Sequence, residues 1–336
     1  MSDYIAKQIQ LTSRPAGMPS QENFSCVEVE LKPPAAGQAL VKNLYMSVDP
    51  YMRGRMREDG VYAQSYGLNS ALWGGAVGEV IESNAEGLEA GDIVLNGAAW
   101  QDKFVADAST LDKLEPFDRD QLSLYIGTLG MPGLTAYVGL FKYGEPKEGE
   151  TVFVSAASGA VGANVCQIAK LKGCRVIGSV GNDAKAQWLL SECGVDAVIN
   201  YKTCGNLTDA LAAAAPDGID VYFENVGGDH LQAALAVMNP FGRIAACGMI
   251  ASYNNSKPAP GPNNLMLIVG KKVRINGFIV SDHGDMREQF LVDMIGWIKE
   301  GKVKSRETVL DGLDNSVEAF LNLFSGKNFG KMVVKI

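Results

Sequence analysis

Histidine is nearly missing from this chain, with two in 336 residues, His230 and His283. A zinc centre draws on Cys, His and carboxylate ligands at suitable spacing, and no histidine stands in the first half of the sequence. The six cysteines, Cys26, Cys166, Cys174, Cys193, Cys204 and Cys247, are scattered without a CxxC pair. They read as buried or idle thiols of a reducing compartment, which argues against disulfides and against a thiolate metal site. Runs of Lys or Arg long enough to track a phosphate backbone are missing as well, and the net charge is -8; no nucleic-acid partner is expected. No apolar stretch approaches the roughly 20 residues of a membrane helix, and the N-terminus has no long apolar segment, so a cytoplasmic protein with no membrane partner is expected.

What is present is the composition of a globular protein, 47% hydrophobic and 20% charged, with length enough for two domains. Residues 1 to about 127 carry short β-like runs, "ALVKNLYMSVD", "VGEVIES" and "DIVLNG", punctuated by Gly, Pro and Asp. From about residue 150 apolar strands alternate with amphipathic helices. "TVFVSA" precedes a helix with Val161, Val165 and Ile168 on one stripe, and "CRVIGSV" precedes "DAKAQWLLSECG". "DAVINY", "IDVYFENV", "GRIAACG" and "VRINGFIV" complete six strand-like runs. Crossovers between them predict an α/β, doubly wound, six-stranded parallel sheet. A further helix puts Phe290, Met294 and Trp297 at core spacing, and the last run, "NFGKMVVKI", is a strand expected to return to the first domain. The expected boundaries are 1–127 with 304–336 for one domain and 128–303 for the other.

The first of these six runs leads into "SAASGAVGANV", a variant of the glycine-rich dinucleotide loop. Gly159 and Gly162 supply close backbone approach to a pyrophosphate and close helix packing, while Ala157 stands where the first glycine belongs. An alanine serves there only if the turn keeps a negative φ. The helix N-terminus expected near Gly159 then offers free amides and the positive end of a dipole. Cofactor choice depends on the end of the second strand, "GSVGNDAK". Asp183 is near the position for a ribose-binding acid but also sits where a helix N-cap belongs, the favoured reading. Lys185, one turn on, either pairs with a phosphate or is a solvated surface lysine; the balance favours NADPH.

"MSVDPYMRGRM", "LGMPGLTAY", "AASGAVG", "GIDVYFENVGG", "CGMIASYN", "GPNNL" and "GKNFGKMVVKI" resemble, in order and over nearly the whole chain, the zinc-independent medium-chain dehydrogenases/reductases. Within these the branch is that of the prostaglandin, leukotriene, double-bond and bacterial NADPH-dependent curcumin reductases. The resemblance implies a GroES-like β-rich catalytic domain beside a Rossmann NADPH-binding domain. It places Ser47, Gly75 and Ala76 where zinc alcohol dehydrogenases carry ligands, so no metal is expected. It further implies pyrophosphate binding by Gly159, Ala160, Val161 and Gly162, and 2′-phosphate contacts from Lys185 and Tyr201. Asn225 and the segment from Cys247 and Gly248 to Tyr253 would hold ribose and diphosphate. Phe278, Ile279 and Val280 would approach the nicotinamide, with Asn328 near its carboxamide or ribose. Phe278 to Val280 read equally as strand core, and Asn225 as a turn former.

The implied activity is metal-free, NADPH-dependent reduction of the carbon–carbon double bond of a small hydrophobic conjugated ketone or aldehyde. Hydride delivery to the β-carbon leaves negative charge on the carbonyl oxygen, where a preorganised donor lowers the barrier. Tyr253 is the first candidate for that donor, although it also suits a cofactor contact. Tyr51 is the second, for orienting the enone; Tyr66 or Trp73 would add aromatic lining. Arg53 and Arg55 read as ion-pair or surface residues, and residues 56–75 as a loop that shapes specificity. Pairing of "VRINGFIV" strands would make a homodimer. Quinone reduction by NADPH and a non-catalytic NADPH-binding protein are the competing functions.

Overall fold

The computed structural model describes residues 4–58 and 64–336; residues 59–63 of the loop singled out above lie outside them. The chain forms two compact units, Met1–Gly127 with Glu307–Ile336, and Thr128–Arg306.

The first unit begins with β1 (Ile5–Leu11) and β2 (Phe24–Glu30), paired antiparallel. There follow β3 (Gln38–Ser47), the single turn α1 (Met52–Arg55), β4 (Ala76–Ser83), β5 (Ile93–Asn96), β6 (Lys103–Asp107) and β7 (Asp112–Lys113). The second unit then contributes α2 (Met131–Val138), β8 (Thr151–Val154), α3 (Gly162–Leu171), β9 (Arg175–Val180), α4 (Asp183–Glu192) and β10 (Ala197–Asn200). It continues through α5 (Leu207–Ala214), β11 (Ile219–Glu224), α6 (Gly228–Val237), β12 (Met238–Ala246), α7 (Met266–Lys271), β13 (Arg274–Gly277) and α8 (Arg287–Lys299). β14 (Glu307–Asp311), α9 (Ser316–Ser325) and β15 (Lys331–Lys335) return to the first unit.

There β15 pairs antiparallel with β3 and parallel with β14, giving a sheet in the order β14-β15-β3-β4-β5-β7, with β6 also paired to β3 off this path. In the second unit six parallel strands run in the order β10-β9-β8-β11-β12-β13. Counted from β8, this is the 3-2-1-4-5-6 order of a doubly wound dinucleotide-binding sheet, with the reversal of direction between β8 and β11. A sheet covered on both faces needs uninterrupted apolar strands. β8, TVFV, is buried at every residue, and Phe153 stacks on Tyr222 of β11 with centroids 5.0 Å apart.

Three local expectations change. α3 starts at Gly162, after a longer turn, and not near Gly159. The N-cap of α4 is Asn182, whose side-chain oxygen accepts from the Lys185 amide at 2.9 Å; Asp183 is the first helical residue. On α8, Phe290 and Met294 are buried, whereas Trp297 is only half-buried.

Candidate functional site

The turn between β8 and α3 solves the missing-glycine problem by displacement. The left-handed residue is Ala156 (φ +48), one position before Ala157, which keeps a negative φ. Ala157 donates its amide to Ser179 O of β9 at 3.0 Å, and its buried methyl faces Gly178, where a Cβ would come within 2.9 Å of it. The methyl that replaces the first glycine is therefore matched by a missing side chain on the neighbouring strand. Gly162 is irreplaceable for another reason: a Cβ there would lie 2.4 Å from Ala156 O and 2.9 Å from Ala157 Cα. Gly159 turns its amide inward to Ala156 O (2.9 Å). Among the described residues the amides of Ala160, Val161 and Gly162 meet no protein acceptor, so three N–H groups at the helix N-terminus fit an anion.

At the ends of β9 and β10 stands a cationic pair. Lys185 is buried, 9% exposed, and is no surface lysine; burial first, then the charge of Lys202, hold its pKa below the ordinary lysine value. A buried ammonium beside the exposed Lys202 fits a bound phosphate. Tyr201 lies beside them, its hydroxyl 3.0 Å from where a Cβ of Gly181 would be. Its ring meets His230 edge-on at 5.2 Å. His230 is buried against Ser179, with Nε2 to Oγ at 2.9 Å, and burial pulls its pKa down to about 4, which keeps the ring neutral. Asp183 instead accepts from Asn200 Nδ2 at 2.7 Å.

A buried polar network joins β11 to the phosphate turn. Glu224 Oε1 accepts from Tyr222 Oη (2.7 Å) and from the amides of Val226 (2.6 Å) and Gly227 (2.8 Å). Burial raises its carboxyl pKa above the usual range, and Oε2 has no partner among the described residues. Asn225 is tied to the turn, its amide donating to Ser155 Oγ at 2.9 Å and its Nδ2 to Ser155 O at 2.8 Å. The amides of Cys247 and Gly248 donate to Glu224 O, both at 3.0 Å. Cys247 is half-buried, and desolvation pushes its thiol up to about 12. Tyr253 caps the short helix Ile250–Ser252, and its hydroxyl lies 3.0 Å from the Cβ position of Gly248. Phe278 and Ile279 follow the end of β13, and Val280 opens the next helical turn. Phe278 stacks on Tyr143 (5.0 Å) and closes over Gly139, where a Cβ would be 2.6 Å from its ring, while Ile279 is 40% exposed.

Every candidate in the second unit thus follows the carboxyl end of a strand of one sheet, where open parallel sheets bind ligands. Tyr51 and Asn328 belong to the first unit. Asn328 Nδ2 donates to Gly330 O at 3.3 Å. Tyr51 lies under the Arg55 guanidinium, 5.0 Å from its ring centroid. Two aromatic and basic expectations are corrected here. Tyr66 is core rather than lining, 1% exposed with its hydroxyl donating to Trp73 O at 2.8 Å. Arg53 is not a surface residue: it is buried and donates to Pro15 O (3.1 Å) and Gly17 O (2.8 Å). Ser47 bonds Asp49, which pairs with the buried ammonium of Lys331 at 3.3 Å. Among the described residues no group of three or more His, Cys, Asp or Glu is placed to hold a metal ion.

Sequence reasoning missed Lys202, His230, Glu224 and Ser155. Tyr222 and Glu224, two apart on a strand, share a face, and an acid in an otherwise apolar strand was the available signal. The Ser155 contact spans 70 residues and had none.

Residues 7–114 match the family described as the N-terminal domain of oxidoreductase, and residues 160–296 match the zinc-binding dehydrogenase family. The NADPH-dependent curcumin reductase of Escherichia coli is 42% identical over 97% of this chain and 95% of its own. The NADP(+)-dependent 2-alkenal reductase of Nicotiana tabacum is 44% identical over 98% and 97%. The crystal structure of CurA from Vibrio vulnificus in complex with NADPH superimposes with a TM-score of 0.93 at 41% identity, covering 98% of both chains. With relatives this similar over almost its entire length, the chain belongs to the medium-chain dehydrogenase/reductase family, in the branch of the curcumin and 2-alkenal reductases.

Proposed function

We propose that this protein uses NADPH to reduce the carbon–carbon double bond of α,β-unsaturated ketones and aldehydes. The observation that carries the reading is a set of groups at the strand ends: three amides after β8 with no acceptor among the described residues, and the buried Lys185 near Lys202 after β9 and β10. They suit the pyrophosphate and the 2′-phosphate of NADPH, which is also what the named relatives use. Tyr201, backed by neutral His230, would flank that phosphate. Asn225, Cys247 and Gly248 would face ribose and diphosphate, Phe278 to Val280 the nicotinamide, and Asn328 its carboxamide.

When bound, NADPH supplies the hydride. Tyr253 donates a hydrogen bond to the substrate carbonyl oxygen as negative charge develops there, which is where a preorganised donor lowers a barrier most. A phenol suits this task because it stays protonated at neutral pH. Tyr51 orients the enone. The unit Thr128–Arg306 is read as the NADPH-binding domain, and the remainder as the substrate domain. β13 is an edge strand, with Ile275 40% exposed and Met266 (78%) and Val269 (71%) exposed on α7; these support a homodimer through that edge. Among the described residues no single helix is long and apolar enough to cross a membrane, in keeping with a cytoplasmic enzyme. The test is product identity with NADPH and a conjugated enone: a saturated product that keeps its carbonyl supports the reading, and activity confined to quinones, yielding hydroquinone, overturns it.

A further inference from the structure

We infer that Arg55 forms an anion subsite beside Tyr51, which favours unsaturated carbonyl substrates that carry a carboxylate. The inference rests on the enone-reductase reading and on the role given there to Tyr51.

Nearby arginines act as struts. Arg14 donates to the carbonyls of Met56 (3.1 Å), Arg57 (3.2 Å) and Tyr66 (2.9 Å), and Arg53 to those of Pro15 and Gly17. Arg55 is used differently. Its guanidinium carbon lies over two rings of the first unit, 3.8 Å from the Trp73 ring centroid and 5.0 Å from that of Tyr51. Among the described residues its single hydrogen bond is a long one, 3.5 Å to Gln64 O. Among the described residues its Nε is buried without an acceptor and no carboxylate pairs with it. An unsatisfied buried donor in a native protein calls for an explanation, and a ligand group is one.

The Trp73 ring is itself fixed. Tyr66 holds Trp73 through a 2.8 Å hydrogen bond to its carbonyl and an edge-on ring contact at 5.4 Å. A guanidinium held against two rings is restrained before a ligand arrives, and its N–H fork matches a planar carboxylate. Aromatic surroundings lower the local dielectric, so a charged pair formed there gains more than on an open surface. Arg55 and Tyr51 sit one helical turn apart at the two ends of α1, so a substrate oriented by the tyrosine brings an acidic substituent toward the arginine.

The experiment compares (E)-4-phenyl-3-buten-2-one with its meta- and para-carboxylates, in the wild-type protein, Arg55→Met, Arg55→Gln and Arg55→Lys. Two readouts are taken: the ratio of kcat/KM for acid over neutral enone, and the ratio of their Kd values for the NADP+-loaded protein. At least one acid is expected to be preferred by wild type. The ratio falls about tenfold to a hundredfold in Arg55→Met and Arg55→Gln, is partly kept in Arg55→Lys, and shrinks as salt rises from about 0.05 to about 0.5 M. Unchanged ratios in Arg55→Met and Arg55→Gln, or a wild-type preference for the neutral enone over both acids, overturn the subsite. A purely structural Arg55 lowers both substrates together and leaves the ratio where it was. If the acids bind through Arg55 but neither enone is reduced, the subsite stands and the reductase reading falls.

Discussion

Lys185 is where cofactor choice becomes a matter of one side chain. The sequence left it between a phosphate ligand and a solvated lysine, because exposure is a tertiary property that a helix position alone does not set. In the fold it is buried, and the charge of Lys202 adds to the desolvation that lowers its pKa, a setting that favours a bound anion. Lys185→Gln is expected to raise KM for NADPH about tenfold to a hundredfold and to leave KM for NADH nearly as it was; steady-state kinetics with both cofactors checks this. For Tyr253, removal of the hydroxyl in Tyr253→Phe is expected to lower kcat about a hundredfold with NADPH binding changed far less. Equal turnover by wild type and variant on every enone would remove it from the chemistry.

At the scale of elements, the strand–turn–helix from β8 to α3 was legible from its β-branched run, small residues and helical stripe. The glycine problem was legible too, but its answer was not: the positive φ on Ala156 and the partnership of Ala157 with Gly178 join segments that no local pattern links. Gly162→Ala is expected to push α3 off the turn, since its methyl would sit 2.4 Å from Ala156 O. A cost of about 1–3 kcal/mol in stability and weaker NADPH binding follow, read by urea unfolding and by fluorescence titration. Gly159→Ala, whose methyl meets only Ala156 O at 3.2 Å, should be milder on both. β11 teaches the same lesson. Its place in the sheet followed from alternation of strands and helices, whereas the Glu224 network needed Ser155 brought from the turn after β8.

For the whole molecule, the parallel sheet was visible because six apolar runs separated by crossovers admit few other arrangements. Burial of His230 inside it makes stability depend on pH. Its folded pKa, about 4, lies below the ordinary 6.5, so the unfolded chain binds the proton first. Its contribution is full above about pH 6.5, declines as pH falls, and is lost by about pH 4, on the order of 3 kcal/mol in all. Glu224, raised by burial, works in the opposite sense, so the difference between wild type and His230→Gln isolates the histidine. That difference in unfolding free energy should narrow as pH drops from 7 to 4.5, and a constant difference would refute the assignment. The account as a whole is tested most directly by incubating the purified protein with NADPH and a conjugated enone such as curcumin, and locating the added hydrogens by mass spectrometry. Two hydrogens across the carbon–carbon double bond, with the carbonyl intact, is the predicted result; tight NADPH binding without consumption, or hydrogen added at the carbonyl, would contradict it.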